Sequence, residues 1–185
     1  AKVLVQSKAF IPYIIKQDIE ESKLVYYPNT TENFYQEMLP DADILKALPT
    51  GFRLMFAGNI GEAQSFETLL SAALMLKNEH IKVQWLILGE GRLRDVVNNR
   101  IKELNLQDTF HLLGAYPSTD MPNYFSCADA LLVSLKKDPI FAYTIPSKIQ
   151  SYLASGKPII TSLDGEGSRI VESANAGYTS PSENP

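Results

Sequence analysis

Apolar residues fall along this chain in two alternating rhythms. Short, mostly apolar runs such as Phe52-Arg53-Leu54-Met55-Phe56-Ala57, Val83–Leu88 and Ala130–Leu135 have the length and side-chain types of buried strands. Between them, apolar positions recur every third or fourth residue, the spacing of a helix with one buried stripe. The pattern predicts strands at Val3–Val5, Leu24–Tyr27, Phe52–Ala57, Val83–Leu88, Phe110–Leu113, Ala130–Leu135 and Pro158–Ser162, with a last short strand after Gly177. It predicts helices over Phe10–Ile19, about Ser65–Lys77, from Gly91 to about Leu104, over Met121–Cys127, from about Pro146 to a stop at Gly156, and from Gly165–Gly167 to near Ala174. Thr30–Thr50, with Pro40 and Pro49, reads as a linker holding one helical piece. Apolar strands alternating with amphipathic helices specify an α/β fold: a parallel sheet covered on both faces through right-handed crossovers. Ligands in such sheets bind beyond the carboxyl ends of the strands.

The loops at those ends carry the candidate chemistry. Thr144 to Ile160 reads as loop, helix, glycine stop and buried strand. Pro146 suits the first helical turn, where a missing N–H costs nothing, and of Thr144 and Ile145 the threonine is the better cap. The helix start then offers unpaired N–H groups, the Ser147 hydroxyl and the Lys148 cation, a combination that suits an anion and most economically a phosphate. Many helices begin this way and bind nothing, so the neighbouring loops decide. Gly58-Asn59-Ile60-Gly61 follows a buried strand, with Asn59 and Gln64 as neutral hydrogen-bonding groups. It is neither a P-loop nor a dinucleotide fingerprint, and alone it reads as a tight turn. Arg92, after Gly89-Glu90-Gly91, reads as an exposed first-turn residue or a phosphate contact, with exposure favoured. Tyr116 is a stacking partner for a base or a plain loop aromatic. Glu166 bonds sugar hydroxyls or favours a helix N-terminus electrostatically.

Composition narrows the classes. A chain of 185 residues with 45% hydrophobic residues folds and has the size of one ordinary domain. The net charge of −4, with acids and bases interspersed and no basic stripe, argues against a nucleic-acid partner. A lone Cys127 excludes an internal disulfide and fits a reducing compartment. The two histidines, His80 and His111, lack metal-ligand spacing, and no catalytic triad or carboxylate pair for hydrolysis is visible. No apolar run reaches the length of a transmembrane segment, and no signal peptide is evident. The start at Ala1 inside an apolar stretch, and the end at Pro181-Ser182-Glu183-Asn184-Pro185, read as those of a fragment.

Several stretches match in order: Tyr27-Pro28-Asn29-Thr30, Phe56-Ala57-Gly58-Asn59, Leu86-Ile87-Leu88-Gly89-Glu90-Gly91, Leu113-Gly114, Ala128-Asp129-Ala130 and Thr144–Pro158. With them the chain resembles the C-terminal, donor-binding domain of family 4 glycosyltransferases, a Rossmann-like half of the two-domain GT-B architecture. Thr144-Ile145-Pro146, Lys148, Gln150–Ala154, Gly156-Lys157-Pro158 and Gly165-Glu166-Gly167 carry a closer similarity to bacterial enzymes of surface-polysaccharide assembly (capsule, O-antigen), including the L-fucosamine-transferase-like group. The resemblance implies residues 1–35 as the end of a first domain or a crossover, and 36–185 as the donor domain. It implies a nucleotide-sugar donor, a UDP-sugar by preference, transferred with retention to a glycan or lipid-linked acceptor reached through the other domain. It implies no cofactor or metal, and a cytoplasmic enzyme, peripheral at the inner membrane at most. By position, Gly58, Asn59, Gly61 and Gln64 would line the diphosphate, and Thr144, Ile145, Pro146, Ser147 and Lys148 the diphosphate and sugar. Ser151 would lie near the ribose, with Arg92, Tyr116 and Glu166 as further contacts. The chain departs from the family where basic residues are common, at Asn59 and Gln64, and where an acidic pair is common, at Tyr143 and Ser151. These departures take away the family's cationic clamp, whose charge then falls to Lys148 with Arg92, and its carboxylate–ribose contact. A silent sugar-nucleotide- or partner-binding module is the alternative, and an epimerase a more distant one.

Overall fold

Every residue from 1 to 185 is described in the computed structural model. Its centre is a six-stranded parallel sheet built from β3 (Phe52–Ala57), β4 (Val83–Leu88), β5 (Phe110–Gly114), β6 (Ala130–Ser134), β7 (Ile159–Ser162) and β8 (Gly177–Ser180), ordered β5-β4-β3-β6-β7-β8. The order reverses between β3 and β6, the doubly wound arrangement that opens a crevice above the carboxyl ends of the central strands. Strand alternation sends successive side chains to opposite faces, and both faces are apolar. Leu54, Phe56, Trp85, Ile87, Ala130 and Leu132 pack on one side with Phe66, Leu70, Val97 and Ile101. Met55, Leu86, Leu88, Leu131 and Val133 pack on the other with Phe125, Ile149 and Tyr152.

The connecting helices are α3 (Phe66–Asn78), α4 (Arg94–Glu103), α5 (Met121–Ser126), α7 (Ser147–Ala154) and α8 (Glu166–Ser173). A short helix α6 (Pro139–Tyr143) lies where the pattern predicts none. Its signal is Asp138-Pro139: the aspartate side chain caps the Ile140 N–H at 2.8 Å, and proline takes the first helical position. Ahead of the sheet, β1 (Val3–Val5) and β2 (Leu24–Tyr26) form a separate parallel pair, with α1 (Phe10–Ile15) between them. Helix α1 stops short of the expected Ile19, because the chain turns left-handed at Asp18. The linker's helical piece is α2 (Ala42–Ala47), capped by Asp41 on the N–H groups of Asp43 and Ile44.

The Ala128-Asp129-Ala130 motif works at the far end of the sheet. Asp129 accepts from the Arg53 N–H at 2.7 Å and returns its own N–H to the Arg53 carbonyl, tying the starts of β3 and β6 together. Its role is in the fold. No helix is long and apolar enough to cross a membrane.

Candidate functional site

The sheet order places one cleft of about 490 Å³ where the crevice is expected. Ala57, Gly58 and Asn59 after β3, Leu88 and Gly89 after β4, and Ala115 and Tyr116 after β5 form one wall; Ser147, Lys148, Ser151 and Tyr152 of α7 form another. Close backbone approach builds the floor. Gly58 donates its N–H to the Leu88 carbonyl at 2.8 Å, and Gly89 donates to Gly114 at 2.7 Å. A Cβ on Gly89 would lie 1.8 Å from the Gly58 carbonyl oxygen, and its φ of +151° is a conformation side chains rarely adopt.

Lys148 is the only cation lining the cleft and Glu32 the only carboxylate. The Lys148 Nζ sits 3.8 Å from the centre of the Phe56 ring, and a Cβ on Gly58 would be 3.0 Å from it. Burial alone pushes this ammonium down to about 7, with no neighbouring carboxylate to offset it. A half-buried lysine left without an anionic partner is an open electrostatic position.

Helix α7 begins one residue later than expected. Pro146 is its cap residue and no side chain caps it; the first helical bond runs from the Ile149 N–H to the Pro146 carbonyl. The N–H groups of Ser147 and Lys148 precede that bond. The expected Thr144 cap is not made. Thr144 instead closes α6, its hydroxyl donating to the Ile140 carbonyl at 2.7 Å, because α6 reaches back to claim it.

Gly58, Asn59, Gln64, Tyr116, Ser147, Lys148 and Ser151 therefore meet in one cleft. Gln64 brings a side-chain oxygen that is buried without a hydrogen-bond partner. Tyr116 is packed against Tyr124, ring centres 4.4 Å apart, at the β5 end. Six other candidates lie elsewhere. Gly61 and Arg92 line a second cavity of about 510 Å³ with Glu62 and Lys136, and Arg92 pairs there with Glu62 at 3.0 Å while largely exposed. Arg92 does not line the cleft between α7 and the glycine floor. Ile145 is buried in the interior, and Thr144 and Pro146 line neither cavity. Glu166 also lines neither. It bonds Arg169 at 2.6 and 2.8 Å and accepts from Ser7 at 3.5 Å, and these bonds, Arg169 first, hold its carboxyl below the usual range.

The sequence pattern gives no sign of Thr31, Glu32 and Tyr35, which wall the cleft from the linker side together with Thr30. A polar run without period carries no signal of where it lies. Sequence reasoning also passed over Tyr152, fully buried, whose phenol accepts from the Ala57 N–H at 2.9 Å and pins the end of β3 beside Gly58. Burial pushes that phenol well above its usual range. Replacing Tyr152 with phenylalanine leaves the Ala57 N–H unpaired, so we expect a loss of about 1–3 kcal/mol, read as a lower urea midpoint at unchanged slope.

Sheet order and glycine floor define a doubly wound α/β domain with its cleft at the strand reversal. The chain belongs to the glycosyl transferases group 1 family, whose model matches residues 43–185. Among curated relatives, the probable glycosyltransferase WbjE of Pseudomonas aeruginosa is 31% identical over 135 residues, 70% of this chain and 32% of the relative. The amylovoran biosynthesis glycosyltransferase AmsK of Erwinia amylovora is 24% identical over 136 residues, 73% of this chain and 33% of the relative. Among solved structures, Anabaena Alr3699/HepE in complex with UDP and glucose superposes with a TM-score of 0.79 at 15% identity, covering 99% of this chain and 50% of that one. The chain thus spans about a third of the curated relatives' length, and the fold is that of one half of a GT-B glycosyltransferase.

Proposed function

We propose that this chain is the donor-binding part of a glycosyltransferase that moves a sugar from a nucleotide donor, a UDP-sugar by preference, to a surface-polysaccharide or lipid-linked acceptor. In this reading residues 36–185 are the donor domain and 1–35 the end of a first domain or the crossover. The acceptor and the cleft's far wall belong to that first domain, on the cytoplasmic side of the inner membrane. Retention of configuration follows from the family likeness. The observation that carries the reading is the unpartnered Lys148 ammonium, seated beside the glycine floor of the cleft.

The chemistry is positional. A diphosphate at this floor takes N–H groups from Ser147 and Lys148 and charge from the Lys148 ammonium. Asn59 and Gln64 add neutral donors where a second cation would otherwise stand. The base then lies toward Leu88, Ala115 and Tyr116, whose ring offers an apolar wall. The leaving nucleoside diphosphate is the group whose charge grows during sugar transfer, so the same lysine is worth most as the glycosidic bond breaks.

Titrating the chain with UDP-glucose, GDP-mannose and free glucose tests the reading. Selective binding of the uridine donor supports it; no nucleotide binding at millimolar ligand contradicts it, and binding without transfer by the complete two-domain protein favours a silent module. A pH signature follows as well. Above about 7 the free Lys148 is mostly neutral, whereas a bound diphosphate holds it protonated. Affinity for UDP-glucose, whose diester phosphates do not titrate here, is therefore flat below pH 6 and falls as pH rises through 7. Calorimetry in buffers of different ionisation enthalpy should show uptake of about one proton per site near pH 8.5 and almost none near pH 6.

A further inference from the structure

We propose that Glu32 reads the ribose of the bound nucleotide, its carboxylate accepting hydrogen bonds from the sugar's vicinal hydroxyls. This rests on the donor-cleft reading above and adds a specificity residue to it. Glu32 lies outside the stretch matched by the family model, which begins at residue 43.

A nucleoside diphosphate has an anionic end, an apolar base and a diol between them. The cleft has one cation, one apolar wall and one carboxylate. With the diphosphate on Lys148 and the base toward Tyr116, the ribose passes the turn of α7 that carries Ser151 and Tyr152. Neither is a good reader of a diol. The Ser151 hydroxyl donates to the Lys148 carbonyl at 3.0 Å, and the Tyr152 phenol is fully buried on Ala57. The strong acceptor left along this stretch is Glu32.

Its place is fixed. The Tyr35 N–H bonds the Glu32 carbonyl at 3.1 Å, closing a turn. The Tyr35 ring stacks on Phe125, centres 6.0 Å apart at 14°, and Phe125 meets the Tyr152 ring edge-on at 5.1 Å. Glu32 is thereby tied through two rings to α7. The proximity is felt at Tyr35, whose phenol is raised by burial first and by the Glu32 charge second. Glu32 makes none of the chain's ion pairs, and the only hydrogen-bond donor to its carboxylate is the Thr31 hydroxyl at 3.4 Å. Two carboxylate oxygens can take both O–H groups of a diol, and hydrogen bonds to a charged acceptor are the stronger kind.

The test compares UDP with 2′-deoxy-UDP on the full chain, by ligand-observed and 15N NMR titration, for wild type, Glu32→Ala and Glu32→Gln. Wild type should prefer UDP by roughly tenfold. Glu32→Ala should weaken UDP by a similar factor and leave 2′-deoxy-UDP nearly unchanged, erasing the preference, with Glu32→Gln between the two. Glu32 is exposed, so each variant should melt with wild type, confirming an intact fold. A preference that survives in Glu32→Ala overturns the assignment while leaving the donor cleft standing. Absence of UDP binding by wild type removes the donor cleft itself, and the ribose assignment with it.

Discussion

Replacing Lys148 with methionine should make the protein more stable and nearly unable to bind a nucleotide sugar. The two effects have one cause. Lys148 is held against Phe56 and the Gly58 backbone, in surroundings that push its ammonium from 10.5 down to about 7. Between those values the unfolded chain binds a proton that the native lysine does not. Wild-type stability therefore rises with pH across that window, and the full penalty is felt below 7. Methionine fills a similar volume without charge, so Tm should rise by roughly 2–6 °C at pH 6, with the gain shrinking toward pH 10. Affinity for UDP-glucose should fall by about a hundredfold, the loss of one charge-assisted contact to a diphosphate. Scanning calorimetry and a binding titration on the same samples check both. A variant that is less stable, or binds as before, contradicts the role given to this lysine. A residue that costs stability and serves binding is the pattern of a functional site.

Gly89→Ala should produce the largest structural damage of any single methyl in the cleft. The added Cβ would lie 1.8 Å from the Gly58 carbonyl oxygen and 2.9 Å from its carbon, atoms of rigid backbone that cannot turn aside. The φ of +151° adds strain whatever the space. The ends of β3 and β4 meet here through the Gly58 N–H to the Leu88 carbonyl, and β4 meets β5 through the Gly89 N–H to Gly114. Separating them breaks the floor on which a diphosphate would rest. We expect a loss of about 3–5 kcal/mol, with Tm lower by roughly 10 °C or more and no detectable nucleotide binding. Unchanged melting would mean that the two loops are not in contact.

The fold was legible because its signals are local and repeated. Phe52–Ala57 and Val83–Leu88 are the strands the pattern predicts, residue for residue, since both are apolar on two faces and bounded by loop residues. Ends and caps were less legible. Asp138-Pro139 starts a five-residue helix too short to show a helical period, and that helix takes the Thr144 hydroxyl which local chemistry assigned to α7. In the site, the glycine loops and the Ser147–Lys148 start of α7 could be anticipated, because strand ends and helix starts are set by sequence order. The exposure favoured for Arg92 is seen, but the partners of Arg92 and Glu166 could not be anticipated. Each has a nearby partner of opposite charge, Glu62 and Arg169, whose proximity is a product of the fold. Glu32 and Tyr35 lie in a run without period, brought to the cleft by Tyr35 packing on Phe125, a contact 90 residues away in sequence.

The central claim is that a nucleotide diphosphate binds at the carboxyl ends of β3 and β4 against α7. A 15N chemical-shift titration of this chain with UDP-glucose tests it most directly. The account predicts saturable shifts at Gly58, Gly89, Tyr116, Ser147, Lys148 and Ser151, with Arg92 and Glu166 unaffected. Shifts confined to Arg92, Lys136 and the second cavity, or none at millimolar ligand, would contradict it.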